Sequence, residues 1–321
     1  MNQLLKAFGT ALHRALAKSR LAAQIYFALL PMFSKWLPRK ARQQLRNSVH
    51  TVRWPEITLR PRTVILGRST KVRLRPHFDE FDFEALLGRH LDYERELFEF
   101  IEPRIHDYNV VIEIGANVGV FSAFVGATAH AQSHELRVFA FEPGRAAYER
   151  LIENLQLNGL DDVQTFNCAV GRETGFADFF EPEGHITNGS LSREFALQFN
   201  EDVRCVRTFV VNGKLLDEIA TDSDRILIKM DVEGAEPMIL RTLEPMLRRV
   251  SPDLLIEILA PTASELNRTT FLQECGYRLW HLTTDGPVER EQFSAGAVRD
   301  YFLTRVPLHQ QITRHRTTAL A

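Results

Sequence analysis

The stretch VVIEIGANVGVFSAF, Val110 to Phe124, decides how the rest of this chain is read. Four β-branched residues surround Glu113 in VVIEI, the composition of a buried strand. Gly115 and Gly119 then frame Asn117, and a helical pattern follows. A strand running through a glycine-bearing turn into a helix opens a βαβ unit. Glycine there permits a tight turn and close approach of the backbone to a ligand.

Outward from this unit the alternation continues. Short apolar strands are expected at VVIEI (Val110), RVFAFE (Arg137), VQTFNCAV (Val163), RILIKMD (Arg225) and DLLIEIL (Asp253). Helical patterns fill the gaps, notably GRAAYERLIENLQLNG with Gly159 as its stop. This predicts an α/β fold with a mostly parallel sheet and helices on both faces. Between Gly171 and Asp224 an insertion with two strand-like pieces, GFADFFEP and CVRTFVV, interrupts the rhythm. YRLWHL and YFLTRV near the end resemble a closing hairpin. Four segments are expected: a basic helical extension over 1–50, a lead-in over 51–109, the main domain over 110–306 and a tail over 307–321. In the lead-in, Trp54 to Val72 reads as extended, and the acidic run FDEFDFEALLGRHLDYERELFEFIEPR as helices.

At 321 residues with 45% hydrophobic and 25% charged residues, the chain can bury a full core. Its net charge of −2 hides an asymmetry. Residues 1–55 carry ten Lys and Arg and no Asp or Glu. That leaves 29 of the 39 basic residues against all 41 acidic ones in the rest, a net of −12. Leu5, Phe8, Leu12 and Leu16 share one side of a helical wheel, with Lys6, His13, Arg14 and Arg20 on the other. That pattern suits the interface of an anionic membrane, or equally a helix docked on its own domain. The longest apolar stretch, LAAQIYFALLPMF from Leu21, is too short to span a bilayer and is interrupted by Gln24 and Pro31. It lacks the flanks of a secretory signal, so the expected location is the cytoplasm, with peripheral contact at the inner face of the membrane as an option. Cys168, Cys205 and Cys275 are odd in number and lack metal-ligand spacing, which reads as free buried thiols with no metal site.

The loop after Val110–Ile114 is the first place to look for a ligand, because open α/β sheets bind beyond the carboxyl ends of their strands. Glu142 closes the next strand, 27 residues after Gly115, and a carboxylate there can accept hydrogen bonds from both ribose hydroxyls. A dinucleotide or S-adenosylmethionine fits that much. The dinucleotide fingerprint needs a glycine where Asn117 stands, so that the backbone can touch the pyrophosphate. S-adenosylmethionine has no phosphate, and its amino acid tail suits an Asn amide. The same glycines also suit a plain strand-to-helix turn.

EIGANVGVFS (Glu113 to Ser122), FEP (Phe141 to Pro143), NLQLNG (Asn154 to Gly159), LLDEI (Leu215 to Ile219) and above all IKMDVEGAE (Ile228 to Glu236) resemble the FkbM family of S-adenosylmethionine-dependent O-methyltransferases. The resemblance covers roughly Asp92 to Trp280. It implies a class I methyltransferase, Rossmann-like fold with a seven-stranded sheet, and methyl transfer to hydroxyls of sugars, glycans, glycolipids or polyketide-like molecules. Glu113 stands where that family usually carries Asp. The cofactor set implied is Glu113, Gly115, Asn117, Gly119, Ser122, Glu142, Asn167 and Asp231.

IKMDVEGAE also has a reading of its own. On a strand Lys229 and Asp231 share one face, and Asp231 falls at the strand end beside the crevice. Glu233, Gly234 and Glu236 follow in the turn, and Pro237 suits the first turn of a helix. Glu257 inside LLIEIL needs a partner, and a cluster with Lys229 would supply one. The alternative is a structural ion pair with a capping carboxylate. A neutral hydroxyl is barely ionised at pH 7, so a positioned base should help. Asp231 is the first candidate, with Lys229 beside it, and His185 in EGHITNGSLS the second; Asn188 and Ser190 are candidates to orient substrate, with Glu233 and Glu257. DVEG lacks the prolines and aromatic of base-modifying enzymes, and the acidic body disfavours nucleic acid. A nicotinamide-dependent nucleotide-sugar oxidoreductase and a silent scaffold remain as alternatives. Oligomeric state is not legible.

Overall fold

The computed structural model describes residues 10–308 except 79, 92, 185, 295 and 297. Its framework is a sheet of eight strands in the order β12-β11-β13-β10-β9-β3-β4-β5. These are β3 (Val110–Ile114), β4 (Arg137–Phe141), β5 (Gln164–Phe166), β9 (Ile226–Met230), β10 (Asp253–Glu257), β11 (Arg278–Thr283), β12 (Gly286–Arg290) and β13 (Asp300–Thr304). Five neighbours, β10-β9-β3-β4-β5, run parallel, and β13 joins β10 antiparallel. Every residue of β3 and β9 is buried, as central parallel strands covered on both faces require.

Two apolar layers cover the sheet. One packs α5 (Arg95–Ile101), α6 (Val120–Ala131) and α7 (Arg145–Leu157) on the face of Val111, Leu227 and Leu255. The other packs α9 (Glu236–Thr242), α10 (Glu244–Arg249) and α11 (Ala260–Leu266) on the face of Ile112, Ile228 and Ile256. In α7 the buried positions Ala147, Leu151, Asn154 and Leu155 follow the helical period, and the helix stops as expected, with Gly159 at φ +65°.

Three details differ from the sequence reading. The sheet has eight strands rather than seven, because GPVER adds the edge strand β12, short and exposed enough to lack any alternation. The tight hairpin joins β11 to β12 through Thr284-Asp285, while YFLTRV returns between β10 and β11. VQTFNCAV divides: β5 completes the main sheet, and Ala169–Gly171 (β6) pairs with Val203–Asn212 (β8), itself paired with Gly175–Pro182 (β7). The insertion is therefore a small sheet of its own.

Ahead of the domain, residues 10–16 (α1), α2 (Arg20–Ser34) and α3 (Arg39–His50) are helical, and β1 (Arg62–Leu66) and β2 (Thr70–Leu74) form a hairpin. Phe27, Leu30, Val49 and Leu59 form a third apolar cluster with Phe83, Leu86 and Leu87 of the lead-in. His13 corrects the helical-wheel expectation. It is buried, bridging Ser48 Oγ (3.0 Å) and Tyr26 OH (2.8 Å), whereas Leu12 is exposed. Leu5 and Phe8 lie outside the described residues. No helix among the described residues is long and apolar enough to cross a membrane.

Candidate active site

The loop after β3 is bound to its neighbours by backbone. Gly115 and Ala116 N–H both donate to the Phe141 carbonyl, and Asp231 N–H donates to that of Ile114. A Cβ on Gly115 would lie 1.9 Å from the Asp231 carbonyl oxygen, and one on Gly119 would lie 2.4 Å from Leu151 Cδ1. Both glycines thus let the loop approach protein: β9 in one case, α7 in the other. Asn154, buried in α7, fixes the same loop by donating to the Val118 carbonyl (2.8 Å) while accepting from Arg75 N–H (3.1 Å). The sequence reading placed Asn154 at the start of the NLQLNG motif but gave it no role, because its partners lie far away along the chain.

The loop opens into a pocket lined by Gly115, Asn117, Glu142, Phe179, Ser190 and Asp231, with Cys168, Val170 and Ile239 on its apolar side. Glu142 is buried at the end of β4. Its carboxylate accepts Asn117 N–H and Gly144 N–H, each at 2.7 Å, and burial pushes its pKa up to about 7. Each oxygen keeps a second lone pair. The Asn117 side chain donates to the Thr187 carbonyl (3.1 Å), which fixes its orientation, since only the nitrogen can face a carbonyl oxygen. Its Oδ1 is buried without a partner among the described residues, an acceptor suited to an ammonium group. These groups fit S-adenosylmethionine: Asn117 for the amino acid tail, Glu142 for ribose hydroxyls, and the apolar wall for a base.

Other expected cofactor residues sit elsewhere. Glu113 and Ser122 are fully buried in the layer beneath, where Ser122 Oγ donates to the Glu113 carboxylate, and burial raises the Glu113 pKa to about 8. Glu113 faces Lys229 across the β3–β9 pairing. Gly119 packs on Leu151, and Asn167 spends its amide on the carbonyls of Glu142 and Pro143. Glu113 and Ser122 support the site from behind, while Asn167, exposed just after β5, holds the turn after Glu142.

A second, wider cleft of about 850 Å³ adjoins the pocket. Asn117, Thr187, Asp231 and Glu233 line both. Lys229 Nζ lies 3.4 Å from Asp231 Oδ2, while Asp231 Oδ1 is buried without a hydrogen-bond partner among the described residues. Burial opposes the Lys229 charge, but Asp231, Glu94, Glu113 and Asp300 outweigh it and hold the ammonium above the usual lysine range. Lys229 therefore pairs with Asp231, and Glu257 finds Arg299 at 3.6 Å instead. Asp231, Glu233 and Glu257 each place an oxygen within 4.8 Å of the others, a spacing that one cation could bridge. Burial first, then the Asp231 charge, raises the pKa of both glutamates.

The turn after β9 is held by Glu236, which accepts Val232 N–H (3.1 Å) and Gly234 N–H (3.1 Å) and takes the Thr262 hydroxyl (3.2 Å). Glu236 thus braces the turn ahead of α9 rather than serving as the cap expected, and Pro237 stands in the first turn. Ser190 is buried and donates to the Glu233 carbonyl (3.2 Å), tying the insertion over the pocket; Asn188 lines the cleft. His185 lies outside the described residues. Tyr93, Glu94 and Asp300 also line the cleft. The sequence reading missed them because nothing local marks residues brought together over two hundred positions. Of the three cysteines, Cys205 is exposed on β8, against the buried-thiol expectation; Cys168 and Cys275 are buried.

Comparison with known proteins identifies the family. Residues 113–279 match the model of the methyltransferase FkbM domain. "Methyltransferase 1" of Beauveria bassiana is 24% identical over 215 residues, covering 61% of this chain and 80% of that protein. A solved methyltransferase FkbM from Methylobacillus flagellatus aligns at 17% identity and a TM-score of 0.39, over 62% of this chain and 44% of its own. A SAM-dependent methyltransferase from Agrobacterium tumefaciens aligns at 13% identity and 0.41, over 79% and 73%. The family match spans half of the chain and includes Asn117, Glu142 and Asp231. The chain belongs to the FkbM methyltransferase family, with S-adenosylmethionine as its cofactor.

Proposed function

We propose that this enzyme transfers the methyl group of S-adenosylmethionine to a hydroxyl of a neutral or amino-bearing small molecule or glycan, with Asp231 as general base. One observation carries the reading: Asp231 stands in the common wall of the pocket and the wider cleft. A methyl donor in the first and an acceptor in the second would meet at that residue. The cofactor supplies the sulfonium leaving group, and the protein supplies alignment and a place for the proton. Lys229 engages Asp231 Oδ2, which leaves Oδ1 to accept a proton from the acceptor hydroxyl.

The cleft wall argues for the acceptor's charge. Glu94, Glu96, Glu233, Glu257 and Asp300 line it, with Arg299 as the one basic residue among the described lining. With one cation among that lining, a phosphorylated acceptor or a nucleic acid backbone would find little to neutralise it. Phe81 and Tyr93, stacked at 4.3 Å, offer a flat apolar face of the kind that sugar rings and aglycones pack on. Family membership gives no support to the nicotinamide alternative. The test is transfer of label from S-adenosylmethionine to panels of neutral, amino-bearing and phosphorylated hydroxyl acceptors. Label on the first two groups supports the reading, and label on phosphorylated acceptors alone overturns it.

A further inference from the structure

Helix α2 has no polar face. Its inward side, Ala23, Phe27, Leu30, Pro31 and Ser34, is buried in the cluster with Phe83 and Leu87. Its outward side carries Leu21, Ile25, Leu29, Met32 and Phe33, continued by Trp36 just beyond the helix, each exposed by between 47% and 79%. At 3.6 residues per turn these six fall within an arc of roughly 120°. Single exposed apolar side chains are ordinary, but a contiguous stripe on a docked helix marks a surface that something covers.

We propose that this stripe lies in the headgroup region of an anionic lipid bilayer, with α2 parallel to the membrane plane. Charge argues for that occupant. Arg14, Lys18 and Arg20 stand exposed at one end of the helix and Lys35, Arg39 and Lys40 at the other, and no acidic residue occurs before Glu56. Lys35 Nζ lies 5.4 Å from the centre of the Trp36 ring, so an aromatic and an ammonium sit together at the end of the stripe, the combination found at membrane–water boundaries. A second copy is a poorer occupant, because a two-fold pairing through α2 would bring the two basic arms together. Fifteen residues of helix reach only about 22 Å, short of the roughly 30 Å hydrocarbon core, and the inward face is already packed, so α2 lies on the bilayer rather than across it. The surface differs from the Leu5, Phe8, Leu12 and Leu16 face that the helical wheel selects.

The experiment is flotation of the full chain with vesicles of phosphatidylcholine alone and of phosphatidylcholine mixed equally with phosphatidylglycerol, at low and high salt. The wild type should bind the anionic vesicles, and binding should weaken with salt. Phe33→Ser with Trp36→Ser should reduce binding at least tenfold at unchanged melting temperature, since neither side chain contributes to the core. Lys35→Gln, Arg39→Gln and Lys40→Gln together should reduce it roughly a hundredfold, from the usual contribution of a basic residue at an anionic surface. S-adenosylmethionine binding in solution should be the same in all three proteins. Failure of the wild type to float overturns the proposal, as does flotation that survives the Phe33 and Trp36 changes. Concentration-dependent self-association that those changes abolish, without vesicle binding, would assign the stripe to a second copy instead.

Discussion

Asp231, Glu142 and Gly115 carry different burdens at the residue scale, and each has its own test. Asp231→Asn keeps the shape beside Lys229 and removes the base. Turnover should fall roughly a hundredfold or more while S-adenosylmethionine binding, measured by calorimetry, stays within a few-fold. Glu142→Ala should weaken cofactor binding by about 1.5–3 kcal/mol, the worth of hydrogen bonds to a charged group, and an unchanged affinity would remove Glu142 from the ribose. Gly115→Ala sets a Cβ against the Asp231 carbonyl at φ +83°, so it should cost about 2 kcal/mol or more and lower turnover with it. Gly159→Ala is the control: φ is +65° but nothing lies within 4 Å, so only backbone strain of about 1 kcal/mol is expected, with turnover intact.

At the scale of elements, the ends of β9 and β10 crowd Asp231, Glu233 and Glu257 around little positive charge. Glu257 is held above the ordinary carboxyl value of 4.5, chiefly by burial. The folded state therefore keeps a proton that the unfolded state releases. Such a group contributes stability fully below pH 4.5 and loses it as pH rises toward the folded value. Glu257→Gln removes that loss. Denaturant melts should show the variant gaining on the wild type from pH 5 to pH 8, by up to about 1.4 kcal/mol per unit. A difference flat with pH would mean that the crowding is relieved. Helix α7 contributes in a different way: through Asn154 and Leu151 it sets the height of the glycine loop above the sheet, although it touches no ligand pocket itself.

For the whole molecule, the basic arm is a working part of the fold. Phe27, Leu30 and Val49 cover Phe83, Leu86 and Leu87, so a chain lacking residues 1–50 should expose that cluster, bind a hydrophobic dye and melt lower. Unchanged dye binding and melting would show the cluster to be self-sufficient. Phe27→Ala in the full chain should cost about 3–5 kcal/mol by the same packing.

The α/β alternation, the glycine turn at Gly115–Gly119, the carboxylates at the ends of β4 and β9 and the stop at Gly159 were legible in the sequence. Each rests on a local cause: a periodicity, a turn that needs glycine, a strand end. Glu113 and Ser122 matched a motif but stand behind the pocket, because a motif gives spacing along the chain and not the side of the sheet that a cavity opens on. The outward face of α2 was not legible for a related reason. A helix apolar on every side does not say which side is covered, and only the packing of Phe27 against Phe83 decides it. Glu94 and Asp300 reach the cleft from a lead-in turn and a returning antiparallel strand. Their meeting at Asp231 is set by strand order, a property of tertiary structure that no local pattern encodes.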